Sequence, residues 1–192
     1  MTCIIVLAGY LAGSAGVNDA DAPAKARKTT VKTSGSSDAA NALLSLDREE
    51  LYPVTKVVDG DTISVHIDDA DVTVRLIGVN TPETVDPRKT VECFGKEASA
   101  YSAKLLEGAS VSLELDPTQE SIDKYGRLLA YVGIEGGVDL NRALISEGYA
   151  YEYTYDKPYE RQAEFRKAQI DAQVNGRGLW NKNTCNGLKT KK

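Results

Sequence analysis

A few polar residues at the rims of one short stretch carry the chemistry that this sequence can do. Asp61 stands just before Ile63-Ser64-Val65-His66-Ile67. Arg75 lies within Val72-Thr73-Val74-Arg75-Leu76, and Asn80, Thr81 and Glu83 follow it. Carboxylate, amide and backbone carbonyl oxygens are hard ligands that suit calcium or magnesium and not zinc. A second carboxylate close to such an ion can act as general base on a water. An arginine beside it can clamp a phosphate through two parallel hydrogen bonds. Any one of these residues alone fits a plain hairpin with charged rims. The whole set, together with the stretch around Arg127, fits that plain reading poorly.

Two strand-like runs must position this set. Ile63, Val65 and Ile67 alternate with polar residues, as do Val72, Val74 and Leu76, and Asp68-Asp69-Ala70-Asp71 joins the runs. Period-two alternation between turn signals marks a half-buried hairpin. Asp59-Gly60 supplies the tight turn before it. Arg75 falls on the face opposite Val74 and Leu76, so it points away from their core.

The same patterns organise the rest of the chain. Residues 39–46 predict a short docking helix, and 51–58 a first strand. After a polar loop over 84–92, residues 94–107 read as a helix that ends at Gly108. Strands follow over 111–115 and 127–134, separated by a loop over 116–124, and Gly136-Gly137 turns the chain. Asp139 is placed to cap a helix that runs through Leu144 and Ile145 and stops at Gly148. Tyrosines alternate with other residues from Tyr149 to Tyr155, an extended segment with an aromatic face. Residues 160–175 give a last helix with Phe165, Ala168 and Ala172 as its apolar stripe, and Trp180 is expected to pack back on the core. Pattern alone gives an α+β chain built on a small barrel.

Composition excludes several function classes. The 192 residues hold a single histidine, His66, on an outward strand position. Histidine-based nucleases and HExxH metalloproteases are therefore unsupported. From Glu49 to Asn183 there are 15 Lys and Arg against 24 Asp and Glu, a net charge of −9. That argues against a protein that coats DNA regardless of sequence, which needs a basic footprint. It leaves room for an enzyme that holds one phosphate locally: a cation at Asp61 with Arg75, Arg127, Lys124 and Lys89 around it makes a positive pocket on an acidic body.

Residues 1–18 contain an apolar run too short for a comfortable membrane span, followed by small residues, as in a secretory signal peptide. No Lys or Arg precedes the run, so retention as an N-terminal anchor is the alternative. Residues 19–48 read as a flexible linker, 49–183 as the folded domain, and 184–192 as a short basic tail. With Cys3 removed, Cys93 and Cys185 remain as an even pair in an exported chain. They are expected either to form a disulfide tying the C-terminal segment to the barrel or to stay as two thiols. Zinc is excluded by two cysteines and one histidine.

Three blocks carry a resemblance: Val58-Asp59-Gly60-Asp61-Thr62; Arg75 to Glu83, which reads RLIGVNTPE; and Asp123 to Tyr131, which reads DKYGRLLAY. In this order and spacing they resemble the signature blocks of the staphylococcal nuclease (thermonuclease) family, over residues from about 51 to 180. The resemblance implies a five-stranded Greek-key OB barrel with three helices. It implies Asp61, Asn80 and the carbonyl of Thr81 as calcium ligands, Glu83 as the base that activates water, and Arg75 and Arg127 on the phosphate. Lys89, Lys124, Tyr125, Tyr153 and Tyr155 fall on the substrate side; ungapped matching puts Thr154 and Asp156 where the family has its two substrate tyrosines. The implied activity is calcium-dependent hydrolysis of DNA and RNA that breaks the bond to the 5′ oxygen and leaves 3′-phosphates, by a secreted monomer with no stable protein partner. Asn80 departs from the family, which has Asp there. The alternatives are a catalytically silent nucleic-acid-binding OB module and a membrane-attached interaction scaffold.

Overall fold

The computed structural model describes residues 35–84 and 90–190. Its elements run in chain order: α1 (Gly35–Ser45), β1 (Tyr52–Val57), β2 (Thr62–Ile67), β3 (Ala70–Leu76), β4 (Val79–Asn80), α2 (Gly95–Leu106), β5 (Ser110–Glu114), β6 (Leu128–Ile134), β7 (Val138–Asp139), α3 (Leu140–Ser146), β8 (Tyr151–Glu152) and α4 (Gln162–Val174), then a 3₁₀ turn over Gly178–Trp180.

The hairpin forms as its alternation dictates. β2 pairs antiparallel with β3, with Ile63 opposite Val74 and Val65 opposite Val72. Ile63, Val65, Ile67, Val72, Val74 and Leu76 are all buried. Full burial of such a side chain is worth about 1.5–3 kcal/mol. A one-residue slip would turn the whole set to solvent, so the register is firmly held. That register puts Thr62 opposite Arg75, at the end of the hairpin where the polar residues collect.

The sheet runs β3-β2-β1-β5-β6-β7, and a parallel pairing of β3 with β6 closes β1, β2, β3, β5 and β6 into a barrel. This is the α+β barrel with appended helices that the resemblance implies. Fully buried Phe165, Leu106, Leu113, Leu128, Leu140 and Leu144 fill its core with the hairpin residues. Asp139 caps α3 by accepting the Arg142 N–H. Buried Asn141 on α3 accepts the Val132 N–H through Oδ1 and donates through Nδ2 to the Ile77 and Ala130 carbonyls. One side chain therefore ties α3 to the β3 end and to β6, beside the polar rim.

Three expectations shift. α1 starts at Gly35, inside the stretch read as linker, because Ala39 and Ala42 bury against the barrel while Leu44 stays exposed. Leu179, and not its neighbour Trp180, is the fully buried residue; Trp180 meets Tyr151 edge-on, with ring centroids 5.3 Å apart. The segment from residue 184, read as a tail, is anchored: Cys185 is bonded to Cys93 and the Cys93 N–H donates to the Lys189 carbonyl at 2.7 Å. The signal-peptide reading of 1–18 and the linker up to residue 34 lie outside the described residues.

Candidate active site

The site is built where three strands and one turn end together. Leading into β2, the N–H groups of Val58 and Asp59 both donate to the Thr62 carbonyl, and Asp61 donates its N–H to Asp59 Oδ1 at 3.1 Å. The turn is pressed against Thr81, since a Cβ on Gly60 would fall 2.6 Å from Thr81 Cγ2. On the other side, Ser102 of α2 donates to the Gly60 carbonyl at 2.7 Å. Only glycine fits between these neighbours.

Asp61 is buried and every contact on it converges on the rim. Its Oδ2 accepts the Thr81 N–H at 2.8 Å and lies 3.2 Å from Arg75 Nη2, while Oδ1 accepts the Thr62 hydroxyl at 3.1 Å. Arg75 also donates through Nη1 to the Leu76 carbonyl at 2.7 Å. Beyond β3 the chain kinks at Gly78, with φ 74°, so that β4 leaves the barrel and pairs with β8, Asn80 opposite Tyr151. The next residues bring Thr81 and Glu83 back over Asp61. Glu83 is fixed at its backbone: its N–H donates to Glu92 Oε2 at 3.1 Å and its carbonyl accepts the Glu92 N–H at 2.9 Å. Glu83 Oε1 accepts the N–H of Thr84 at 2.9 Å.

Arg127 immediately precedes β6, which runs parallel to β3. Its guanidinium is held by Asp123, with Nε donating to Oδ2 at 2.7 Å and Nη2 2.6 Å from the same oxygen. Together Asp59, Asp61, Thr62, Arg75, Asn80, Thr81, Pro82, Glu83 and Arg127 line a cavity of about 140 Å³. The structure thus brings together all six residues read as metal ligands or catalytic groups.

The substrate-side residues form a second cluster that joins the first through Arg127. Tyr125 and Tyr155 are each 70% exposed. Lys124 Nζ donates to the Tyr155 hydroxyl at 3.1 Å and sits 5.1 Å from the Tyr125 ring centroid, and the Arg127 guanidinium lies 5.3 Å from the same ring. The contact with Tyr155 raises the Lys124 pKa. Tyr153 is near Tyr155, with centroids 6.4 Å apart. Lys89 lies outside the described residues. The disulfide is formed between Cys93 and Cys185.

Sequence reasoning passed over three residues. Asp59 lines the cavity, and burial, followed by the charge of Asp61, pushes its carboxyl up to about 6; the Asp-Gly-Asp spacing was the available signal. Asp123 orients Arg127, as the four-residue spacing of an acid and an arginine allows. Glu92, which fixes Glu83, had no signal, because the contact depends on where the loop returns. A larger cavity of about 360 Å³ lies away from these groups, between β5, β6 and β7. Its Arg161 is satisfied by Glu114 and Asp139, and none of the candidate metal, catalytic or substrate-side residues lines it.

The donor set fits a hard divalent cation. Among the described residues no three Asp, Glu, His or Cys side chains converge on one point. A cation here would therefore use the Asp61 carboxylate with the neutral oxygens of Asn80 and Thr81 and with water, which suits calcium.

A family model described as "Staphylococcal nuclease homologue" matches residues 73–182. The thermonuclease of Staphylococcus hyicus is 41% identical over 140 residues, which are 73% of this chain and 81% of that protein. The thermonuclease of Staphylococcus intermedius is 43% identical over 133 residues, 69% and 77% of the two chains. Endonuclease YncB of Bacillus subtilis (strain 168) is 35% identical over 141 residues, 72% and 66% of the two.

Proposed function

The chain belongs to the staphylococcal nuclease family and is a nuclease that hydrolyses phosphodiester bonds; from that premise we propose that it is a secreted, calcium-dependent enzyme acting on DNA and RNA to leave 3′-phosphates. The observation that carries this reading is the convergence of Asp61, Glu83, Arg75 and Arg127 on one cavity of about 140 Å³.

Arg75 on β3 and Arg127, the residue before β6, line that cavity together with Glu83. Arg75 is steadied by Asp61 and the Leu76 carbonyl, and Arg127 by Asp123. Each keeps further N–H groups for a phosphate, and each is pre-aimed, so little reorganisation is needed as charge builds in the transition state. Glu83 orients a water and takes its proton as the new P–O bond forms. The P–O5′ bond breaks and the 5′ oxygen takes up a proton to leave as a hydroxyl. Calcium, when bound by Asp61, Asn80 and Thr81, adds positive charge that polarises the phosphoryl oxygens. Tyr125 and Tyr155 offer exposed ring faces to bases, a sequence-tolerant contact. The disulfide supports an oxidising compartment.

The test is a nuclease assay with calcium and with chelator, on both DNA and RNA, with end-group analysis of the products. Calcium-dependent cleavage leaving 3′-phosphates is expected. Binding without cleavage in calcium would favour the silent OB module, which retention of both carboxylates and both arginines disfavours.

A further inference from the structure

The C-terminal segment reaches the site by two routes. It is anchored on α3, where Leu179 donates its N–H to the Gly148 carbonyl at 2.8 Å, and it folds back so that Gly187 donates to the Leu179 carbonyl at 2.9 Å. From this base Cys185, buried, is bonded to Cys93. Two further contacts flank the bond. The Cys93 N–H donates to the Lys189 carbonyl at 2.7 Å, and Lys189 Nζ lies 3.4 Å from Glu92 Oε2. That same Oε2 accepts the N–H of Glu83. The second route runs through Trp180, which packs on Tyr151, the β8 partner of Asn80.

We propose that residues 178–189, locked by the Cys93–Cys185 disulfide, form a strap that positions Glu83 through Glu92. Glu92 is a positioning residue: it grips the Glu83 backbone from both its carboxylate and its own N–H, and Cys93 and Lys189 fix it in turn. Glu83 follows Pro82, and two bonds join its backbone to Glu92, one from each direction. A backbone held this way helps keep a general base within hydrogen-bond reach of its water. A displacement of about 1 Å at such a group can cost roughly 100-fold in rate. The inference rests on Glu83 as the base, and it assigns the disulfide a part in turnover beyond holding the fold.

The full chain carrying Cys93→Ser and Cys185→Ser is compared with wild type well below the unfolding temperature of either. The expected result is a kcat lower by about 10–100-fold with KM little changed, and faster exchange at the amides of Glu83, Glu92 and Cys93, which are bonded in the structure. A folded variant with wild-type kcat overturns the proposal, because the bond then only stabilises. Should the serine variant fail to fold, Glu92→Ala and Glu92→Gln decide. The alanine is expected to lower kcat, and the glutamine, whose amide oxygen still accepts the Glu83 N–H, to restore most of it. Equal rates in both overturn the proposal. Failure of wild type to cleave nucleic acid would count against the nuclease reading alone. The exchange measurement then stands by itself: protection of the Glu83, Glu92 and Cys93 amides lost with the disulfide supports the strap, and protection unchanged overturns it.

Discussion

Asn80→Asp asks whether residue 80 faces a bound ion, and its outcome can be worked from the site. Asn80 is fixed on both sides: its backbone pairs with Tyr151, and the next residue donates its N–H to Asp61 Oδ2 at 2.8 Å. A carboxylate placed there enters a cavity already lined by Asp59, Asp61 and Glu83. Two unit charges 4–5 Å apart at an effective dielectric near 20 interact by about 4 kcal/mol, and desolvation cancels much of that. A net gain of about 1.4 kcal/mol for calcium, a factor of ten in affinity, is the expected scale. Without the ion the sign reverses. The added charge repels its neighbours, in a pocket where Asp59 is already pushed up to about 6, so stability should fall by about 1 kcal/mol. The assay is a calcium titration of DNA hydrolysis at fixed ionic strength, paired with thermal unfolding in chelator and in excess calcium. The variant should reach half-maximal rate at roughly tenfold less calcium. Its unfolding temperature should sit below wild type in chelator, and the gap should close as calcium is added. The same calcium midpoint, with the same gap in both conditions, would mean that residue 80 does not face the ion.

Glu83→Gln should lower kcat by about 10²–10⁴-fold while the circular dichroism spectrum and unfolding temperature stay near wild type; near-normal turnover would remove Glu83 from the base role. Arg127→Lys keeps charge but loses the planar fork that Asp123 orients, so activity should fall far more than stability in parallel kinetic and urea-unfolding measurements. Burial pushes the Asp116 carboxyl up, yet hydrogen bonds from Thr118, Tyr131 and the Glu160 N–H outweigh it, and the pKa ends below the ordinary 3.8. Its contribution is therefore present above pH 3.8 and lost as pH falls through the lowered folded value, so Asp116→Asn should be less stable than wild type by about 1–3 kcal/mol at neutral pH, with the difference shrinking in urea titrations at progressively lower pH.

What the sequence made legible was whatever depends on local pattern. The buried faces of β2 and β3 follow from alternation, but the register that sets Thr62 opposite Arg75 does not: the sequence pattern joins the strands through residues 68–71, whereas Ala70 and Asp71 already pair in β3 and only Asp68-Asp69 turns the chain. The cap at Asp139 and the stripe of Phe165, Ala168 and Ala172 were readable from local pattern as well. The residues read as metal ligands and catalytic groups lie in three short blocks, and it was the family resemblance, not local pattern, that joined Arg127 to the hairpin residues before any fold was known. Contacts between distant segments were another matter. Glu92 meets Glu83, nine residues away, and Lys189 reaches Glu92 only because the C-terminal segment folds back on Leu179 and is bonded at Cys185. The start of α1 was misplaced because Gly35 to Asp38 is weakly helical by composition, and tertiary packing of Ala39 and Ala42 supplies the stability that propensity lacks.

The acidic balance of the chain then becomes part of how the site works. Arg75 and Arg127 are each matched by a carboxylate, Asp61 and Asp123. Within the cavity itself three carboxylates, Asp59, Asp61 and Glu83, face two guanidiniums. With all three ionised, the empty pocket does not attract a polyanion, and the surrounding body repels one. A divalent cation bound at Asp61 would invert the local sign, so a phosphate would be drawn in only where the ion is held. Affinity away from the scissile phosphate would then come chiefly from contacts that need no net charge. Tyr125 and Tyr155, each 70% exposed and braced by Lys124, are placed for this: base stacking on their rings tolerates any sequence.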